Sequence, residues 1–262
     1  MMPSLYTAAS GMIANQLYVD SISNNLSNVN TTGFKKSKLQ FQDLLYQTLT
    51  APGASNSDGV KLPGSLQVGL GVKPMTNDRI FLQGNLQNTG NDLDIAVQGD
   101  GFFQLQKSDG TPAYTRDGTF KVNADGLIVN AQGLALVPNI TIPPQSTSLT
   151  ITPEGTVSVV RQGETDPTEI GNIELARFTD PAGLSSEGGN IFTATPASGE
   201  PLISKPGESG AGSLAQKFVE TSNVQMVEEM VNLIVAQRAY EINSKAVTTS
   251  DQMLQNANQL RG

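Results

Sequence analysis

Apolar residues recur at helical spacing near both ends of the chain and at strand spacing between them. Leu5, Ala8, Met12, Asn15, Val19, Ile22, Leu26 and Val29 alternate steps of three and four. This predicts the seam of a coiled-coil-like N-terminal helix with one polar member, Asn15. Tyr6, Ala9, Ile13 and Leu17 make a second apolar line about a third of a turn away, at about 100° per residue. Two lines imply more than one packing neighbour. Ser4 is placed to cap this helix and Gly33 to end it, with Asn28, Asn30, Thr31 and Thr32 weakening the last turn.

The C-terminal pattern mirrors it. Val235, Ala239, Ile242, Ala246, Thr249, Met253, Asn256 and Leu260 step by four and three, and Val227, Val231 and Ile234 extend the apolar surface backward. Ser222 with Gln225 reads as a capping box, Glu228 and Glu229 suit the early turns, and Glu241 precedes Lys245 as a favourable i,i+4 pair. The predicted helix has about 38 residues and a length of about 57 Å. Burial of one such seam falls short of the backbone entropy lost in forming the helix, so each helix needs the other, and neighbouring chains as well.

The middle of the chain is β-patterned. Asp109-Gly110, Asp117-Gly118 and Asp125-Gly126 follow at eight-residue intervals, with Gln132-Gly133 next, and Asp-Gly favours tight hairpins. Strands are expected at Leu93 to Val97, Phe102 to Gln106, Leu149 to Thr152, Thr156 to Val160, Ile173 to Phe178 and Ile191 to Ala194. Two stretches rich in Pro, Gly and Ser, Ala51 to Gly71 and Pro196 to Ser213, read as connectors. The expected class is α+β, with long N- and C-terminal helices forming a coiled-coil-like domain and an all-β domain inserted between them. Residues 1–45 with 215–262 make the helical part, 46–74 an extended arm and 75–214 the β-rich part. At the end of the arm Leu66, Val68, Leu70 and Val72 alternate like an edge-seeking strand, and Gly69 and Gly71 on the other face permit close backbone approach to a neighbouring chain or to the helices.

Composition narrows the chemistry. The chain has no Cys, His or Trp, which removes the thiol nucleophile, the imidazole base and the two commonest zinc ligands. Asp92, Asp94, Asp117 and Asp125 could pair as glycosidase carboxylates, but most adjoin Gly or Asn in turn dipeptides. Gly99-Asp100-Gly101 has Gln104 where a dinucleotide fingerprint needs glycine, and the Asn/Asp clusters lack EF-hand spacing. No catalytic, cofactor or metal site is expected. A net charge of -8 opposes nucleic acid and anionic lipid. The densest apolar patch, Met230 to Ala236, is interrupted by Asn232, so no membrane insertion is expected. No Lys or Arg precedes Lys35, which argues against a secretory signal.

Ser23-Asn24-Asn25-Leu26-Ser27-Asn28-Val29-Asn30-Thr31-Thr32-Gly33-Phe34-Lys35 resembles the opening signature of the flagellar rod and hook family of axial proteins. Glu220 to Val224 and Ala236 to Lys245 resemble its closing signature, and Gly99 to Phe103 and Tyr114 to Gly118 match its β-region. Gly69 to Val72, Asn139 to Pro143 and Val227 to Asn232 are similar to the distal-rod branch, although Lys217 stands where the family tends to place glycine. The resemblance implies a structural protein that polymerises with itself into a helical tube, transmits torque from motor to hook and encloses the export channel. It implies proximal rod proteins, hook protein, the P- and L-ring proteins and the type III export apparatus as partners. It also implies a periplasmic place in the basal body, reached without a cleaved signal peptide. The assembly residues would be the N-terminal seam and, on the C-terminal helix, Val227, Val231, Ile234, Val235, Ala239, Tyr240, Ile242, Ala246, Met253 and Leu260. Asn24, Asn25, Asn28, Thr31, Gly33, Phe34 and Lys35 would carry the family signature. The alternatives are a proximal-rod or hook-type member, or a coiled coil displaying a carbohydrate-binding or hydrolytic β-domain, which convergent carboxylates in a pocket would favour.

Overall fold

The computed structural model describes residues 3–50, 65–163 and 166–259. The chain is α+β, with helices α1 (Pro3–Ser27) and α2 (Met226–Gln259) near its ends and strands between them. Two compact units result. One holds both helices with residues 37–78, and the other holds residues 28–36 with 79–224. Residues 28–36 and 215–224, assigned above to the helical part, therefore belong with the β-rich unit.

In the first unit α1 and α2 run antiparallel. Gly11 faces Asn243 and Asn25 bonds Glu229, an equal fourteen-residue advance along each helix in opposite directions. A Cβ on Gly11 would stand 2.8 Å from Asn243 Nδ2, so the glycine permits the close approach. By this register, α2 runs on past the start of α1 from about residue 252. Among the described residues four strands accompany the helices: β1 (Ser37–Asp43), β2 (Tyr46–Thr50), β3 (Leu66–Gly69) and β4 (Val72–Arg79). β1 pairs with β4, and β2 pairs antiparallel with β3.

In the second unit a nine-stranded sheet is organised around Phe102–Gln106, which pairs with 112–115, 135–137 and 175–177. Alternation along that strand buries both faces. Phe103 and Leu105 enter a core with Ile95, Phe120, Leu136, Val157 and Leu175, while Phe102 joins Tyr114, Phe178 and Phe192 on the other side. The rings meet edge to face, Phe103 on Phe120 at 5.1 Å and Tyr114 on Phe178 at 4.8 Å between centroids. A three-stranded sheet (146–151, 156–161, 168–172) contributes Ile151, Val157 and Val159 to the buried interior.

Two of the Asp-Gly pairs form the expected tight turns, with Gly110 at φ +83° and Gly126 at φ +81°. Asp117-Gly118 does not. There the Asp117 carboxylate accepts from the Thr119 amide at 3.1 Å, and the Gly118 carbonyl accepts from the amide of Ile95 at 3.0 Å, whose own carbonyl occupies the space a side chain would need. The helix ends also differ from expectation. α1 stops at Ser27, so Val29 lies in the following turn and is not a helical seam residue. Gly33, at φ +67°, sits against the backbone of Arg116 and Asp117 in the β-rich unit and does not terminate the helix. Ser222 is buried outside α2, where its hydroxyl accepts from the Val224 amide at 3.3 Å, so no capping box forms. α2 accordingly begins later than expected, at Met226, and is described through Gln259.

Lys217 has φ +68° between two strands, bonding the Asp94 carbonyl through its amide at 2.7 Å and accepting from Thr89 at 2.8 Å. This geometry explains why glycine suits the position. A side chain in the left-handed region costs about 1–2 kcal/mol, offset here by lower unfolded-chain entropy and a half-exposed ion pair to Asp92. Lys217→Gly is expected to lie within about 1 kcal/mol of the parent, whereas Lys217→Val should lose about 1–2 kcal/mol. Urea unfolding midpoints of both variants measure the difference.

Candidate assembly surface

The N-terminal line falls largely on the packed side of α1. Ala8 and Ile22 are buried and Leu5, Met12, Asn15, Val19 and Leu26 are half-buried, whereas Tyr6, Ile13 and Leu17 of the second line are exposed. On α2 the arrangement is reversed. The more protected line is Glu229, Asn232, Leu233, Ala236, Ala239, Asn243, Val247, Ser250 and Leu254, rich in small and polar residues. Val227, Val231, Ile234, Val235, Tyr240, Ile242, Ala246 and Met253 are exposed, Val227 at 76% and Ile242 at 67%. Of the α2 residues named from sequence, only Ala239 is partly covered among those described, and Leu260 lies outside the described residues. A helix that turns its more apolar line outward has an unfilled packing requirement in the single chain.

The arm is not one strand. β3 ends at Gly69 and β4 begins at Val72, because Gly71 adopts φ +112° where the chain meets α1. Ser10 Oγ lies in the space a Cβ on Gly71 would take and accepts from the Val72 amide at 3.3 Å. Leu66 and Val68 pair with β2 of the same chain, opposite Thr50 and Gln47, so β3 has an intramolecular partner. Leu66 remains exposed, while Val68, Leu70 and Val72 are half-buried. The Pro/Gly-rich stretch 51–64 lies outside the described residues.

The family-signature residues work inside the chain. Asn25, at the end of α1, bonds Ser37 through both its amide groups at 2.9 Å and donates to Glu229 Oε2 at 3.2 Å, tying α1 to β1 and to the first turn of α2. Asn24 is exposed, and Asn28 accepts from Thr31 in the turn after α1. In the β-rich unit Phe34 is buried with the Arg79 guanidinium 5.5 Å from its ring. Lys35 is fully buried, donating to Glu220 Oε1 at 2.5 Å and to the Leu82 carbonyl at 2.8 Å. Glu220 Oε1 also accepts from the Gly84 amide at 2.8 Å, and Glu220 Oε2 is 3.6 Å from Arg116 Nε. Burial pushes the Lys35 ammonium below its ordinary 10.5, a shift that Glu220 partly opposes. Arg116 is lowered by the same desolvation.

Sequence periodicity singled out neither Glu220, Arg116 nor Glu229 for these roles. The available signal was only that a Lys and two Glu stand in otherwise apolar or amide-rich signatures. The candidate glycosidase carboxylates do not converge on a cleft. Asp94 accepts from Thr89 and Asn91, Asp117 from Thr32 and Thr119, and Asp92 pairs with Lys217.

Glu220→Gln should destabilise the β-rich unit by about 3–5 kcal/mol, since it leaves two buried cations without their counter-charge; the denaturant midpoint reports it. The pH dependence carries its own sign. Because the folded-state value of Lys35 lies below 10.5, the unfolded chain binds more protons between the two values, and the Lys35 contribution makes stability rise with pH across that window. Subtracting the stability curve of Lys35→Met from that of the parent should leave this positive slope.

Comparison with known proteins bears on the whole chain. Family models match at residues 5–35 (flagella basal body rod protein), 96–159 (flagellar hook protein FlgE/F/G D1 domain) and 215–260 (flagellar basal body rod FlgEFG protein C-terminal). The chain is 48% identical over 260 residues to the flagellar basal-body rod protein FlgG of Buchnera aphidicola subsp. Schizaphis graminum, covering 99% of this chain and 100% of the relative. It is 50% identical over 263 residues to the FlgG protein of Borreliella burgdorferi, at 100% and 99% coverage, and 39% identical over 261 residues to that of Bacillus subtilis, at 97% of each. With similarity of this degree running from α1 through the β-rich unit to α2, the chain belongs to the FlgG family of flagellar basal-body rod proteins.

Proposed function

We propose that this chain is a structural subunit of the flagellar distal rod and that the outward apolar line of α2 is its principal assembly surface. The observation that carries the reading is the reversal on α2, where Val227, Val231, Ile234, Val235 and Ile242 are exposed while small and polar residues take the more protected line. Such a stripe seeks another helix, and repeated heterologous contacts that do not close generate a helical polymer. Helices of successive subunits pack in coiled-coil fashion to make the inner wall of a tube, with the exposed Tyr6, Ile13 and Leu17 of α1 offering a second contact line. The tube transmits torque from motor to hook and encloses the channel for later subunits. Its work is mechanical, not catalytic.

Family membership supports the remaining assignments. Proximal rod proteins lie below the polymer, hook protein above it and the P- and L-ring proteins around it. The subunit reaches the periplasmic part of the basal body through the type III export apparatus without losing a signal peptide. The β2–β3 ribbon bridges adjacent rows and stiffens the tube, with exposed Tyr46, Leu49 and Leu66 as contacts.

Ile242→Asp tests the surface directly. Ile242 is exposed in the single chain, so the variant monomer should unfold within about 0.5 kcal/mol of the parent. In the polymer the same carboxylate would be buried without a partner, so rods should be absent by electron microscopy. Normal rods and motility would remove α2's outer line from the interface.

A further inference from the structure

Lys35 and Arg116 are 0% and 3% exposed and Glu220 is 1% exposed, so this buried cluster holds two cations against one anion. Glu220 spends Oε1 on Lys35 and Gly84. Arg116 gives Nη2 to the Gly99 carbonyl at 2.7 Å and lays its guanidinium 5.7 Å from the Phe102 ring. Among the described residues its Nη1 has no hydrogen-bond partner, and neither has Glu220 Oε2, which stands 3.6 Å from Arg116 Nε. Desolvating a positive charge without a full complement of acceptors is costly, and proteins ordinarily pair such a group.

Arg116 also lines a cavity of about 190 Å³ in the β-rich unit, together with Phe81, Phe102, Phe178, Arg177 and Asp100. That exceeds the roughly 10–15 Å³ one water requires. Arg177 adds a second guanidinium, whose Nη1 is engaged by the Ser209 carbonyl at 2.5 Å. Asp100 is exposed, and the one buried carboxylate, Glu220, serves both Lys35 and Arg116, so the excess charge on the buried side is positive. Phenyl rings can line an apolar stem while the guanidinium group receives a planar, two-oxygen anion.

We propose that this cavity is a binding site for a carboxylate on a short apolar stem, which would bring the buried cluster to two cations and two anions. Two sources share that chemistry, a free organic acid and an Asp or Glu side chain of another copy of this chain. The reading does not depend on the α2 surface.

The test titrates the full-length monomer with sodium propionate and, separately, with neutral propionamide, following side-chain NMR signals of Arg116, Phe102 and Phe178. Saturable shifts with propionate, at least tenfold weaker in Arg177→Gln and absent with propionamide, are the expected result. No saturation with propionate, or equal shifts with propionamide, would overturn the proposal. Arg177→Glu then separates the sources. If it remains folded and loses both propionate binding and rod formation, the carboxylate comes from another copy. If it loses propionate binding and still forms rods, the site serves a free acid. Retained propionate binding in Arg177→Glu would again overturn the assignment.

Discussion

A chain that inserts its β-rich unit between two helical ends must bring the entering and leaving segments together, and Glu220 is where that constraint is met. Its carbonyl accepts from Gly33 on the entering segment at 2.8 Å, its carboxylate takes Lys35 of that segment, and its strand pairs with Leu86–Asn88. Asn223 continues the seam, accepting from the Lys36 amide at 2.7 Å and donating to the Ile80 carbonyl at 2.8 Å. Adjacent entry and exit are what allow an inserted domain to fold around its own core. An ion cluster in that position is directional where an apolar contact would not be. One-sided loss of a partner therefore costs more than the pair contributes net.

The helical unit is built on a different principle. Glycine at position 11 and alanine at 8, 14 and 236 give close approach with little side-chain volume, and Asn25 supplies the directional bond to Glu229. Small residues let the two helices approach, with Leu233, Val247 and Leu254 partly covered on the same line, while Val227, Val231, Ile234, Val235 and Ile242 of α2 face out. The division of labour is clear: closeness within the chain comes from small residues, and the capacity for contact outside it comes from large ones.

Much of this was legible in sequence because period and turn chemistry report local geometry. Helices near both ends, strands at Phe102–Gln106 and Thr156–Arg161, and left-handed glycines at 110 and 126 follow from side-chain alternation and Asp-Gly preference. Period does not say which of two apolar faces meets the partner within the chain. On α2 the stronger line lies outside because Gly11 and Ala14 of α1 complement small residues. Long-range polar bonds were equally hidden. Nothing local couples Lys35 to Glu220 or Gly71 to Ser10, and Gly71 splits the arm's strand where α1 passes close by and its carbonyl takes the Leu44 amide. Asp117-Gly118 failed as a hairpin for the same kind of reason, since its glycine is reserved for the Ile95 backbone.

The overhang of α2 beyond the start of α1 gives the molecule two kinds of cohesion. The buried clusters of the β-rich unit are built from its own residues, which places its core within the single chain. Among the described residues the last turns of α2 have no facing helix, so a partner that covers them would order them by mass action. Each neighbour that binds only the helical form adds RT ln(1 + [L]/Kd), about 2.7 kcal/mol at a hundredfold excess over Kd. In the proposed polymer, concentration would thus act on one end of the chain as temperature acts on the rest, and a subunit among its own kind would be a more ordered molecule than the same subunit in solitude.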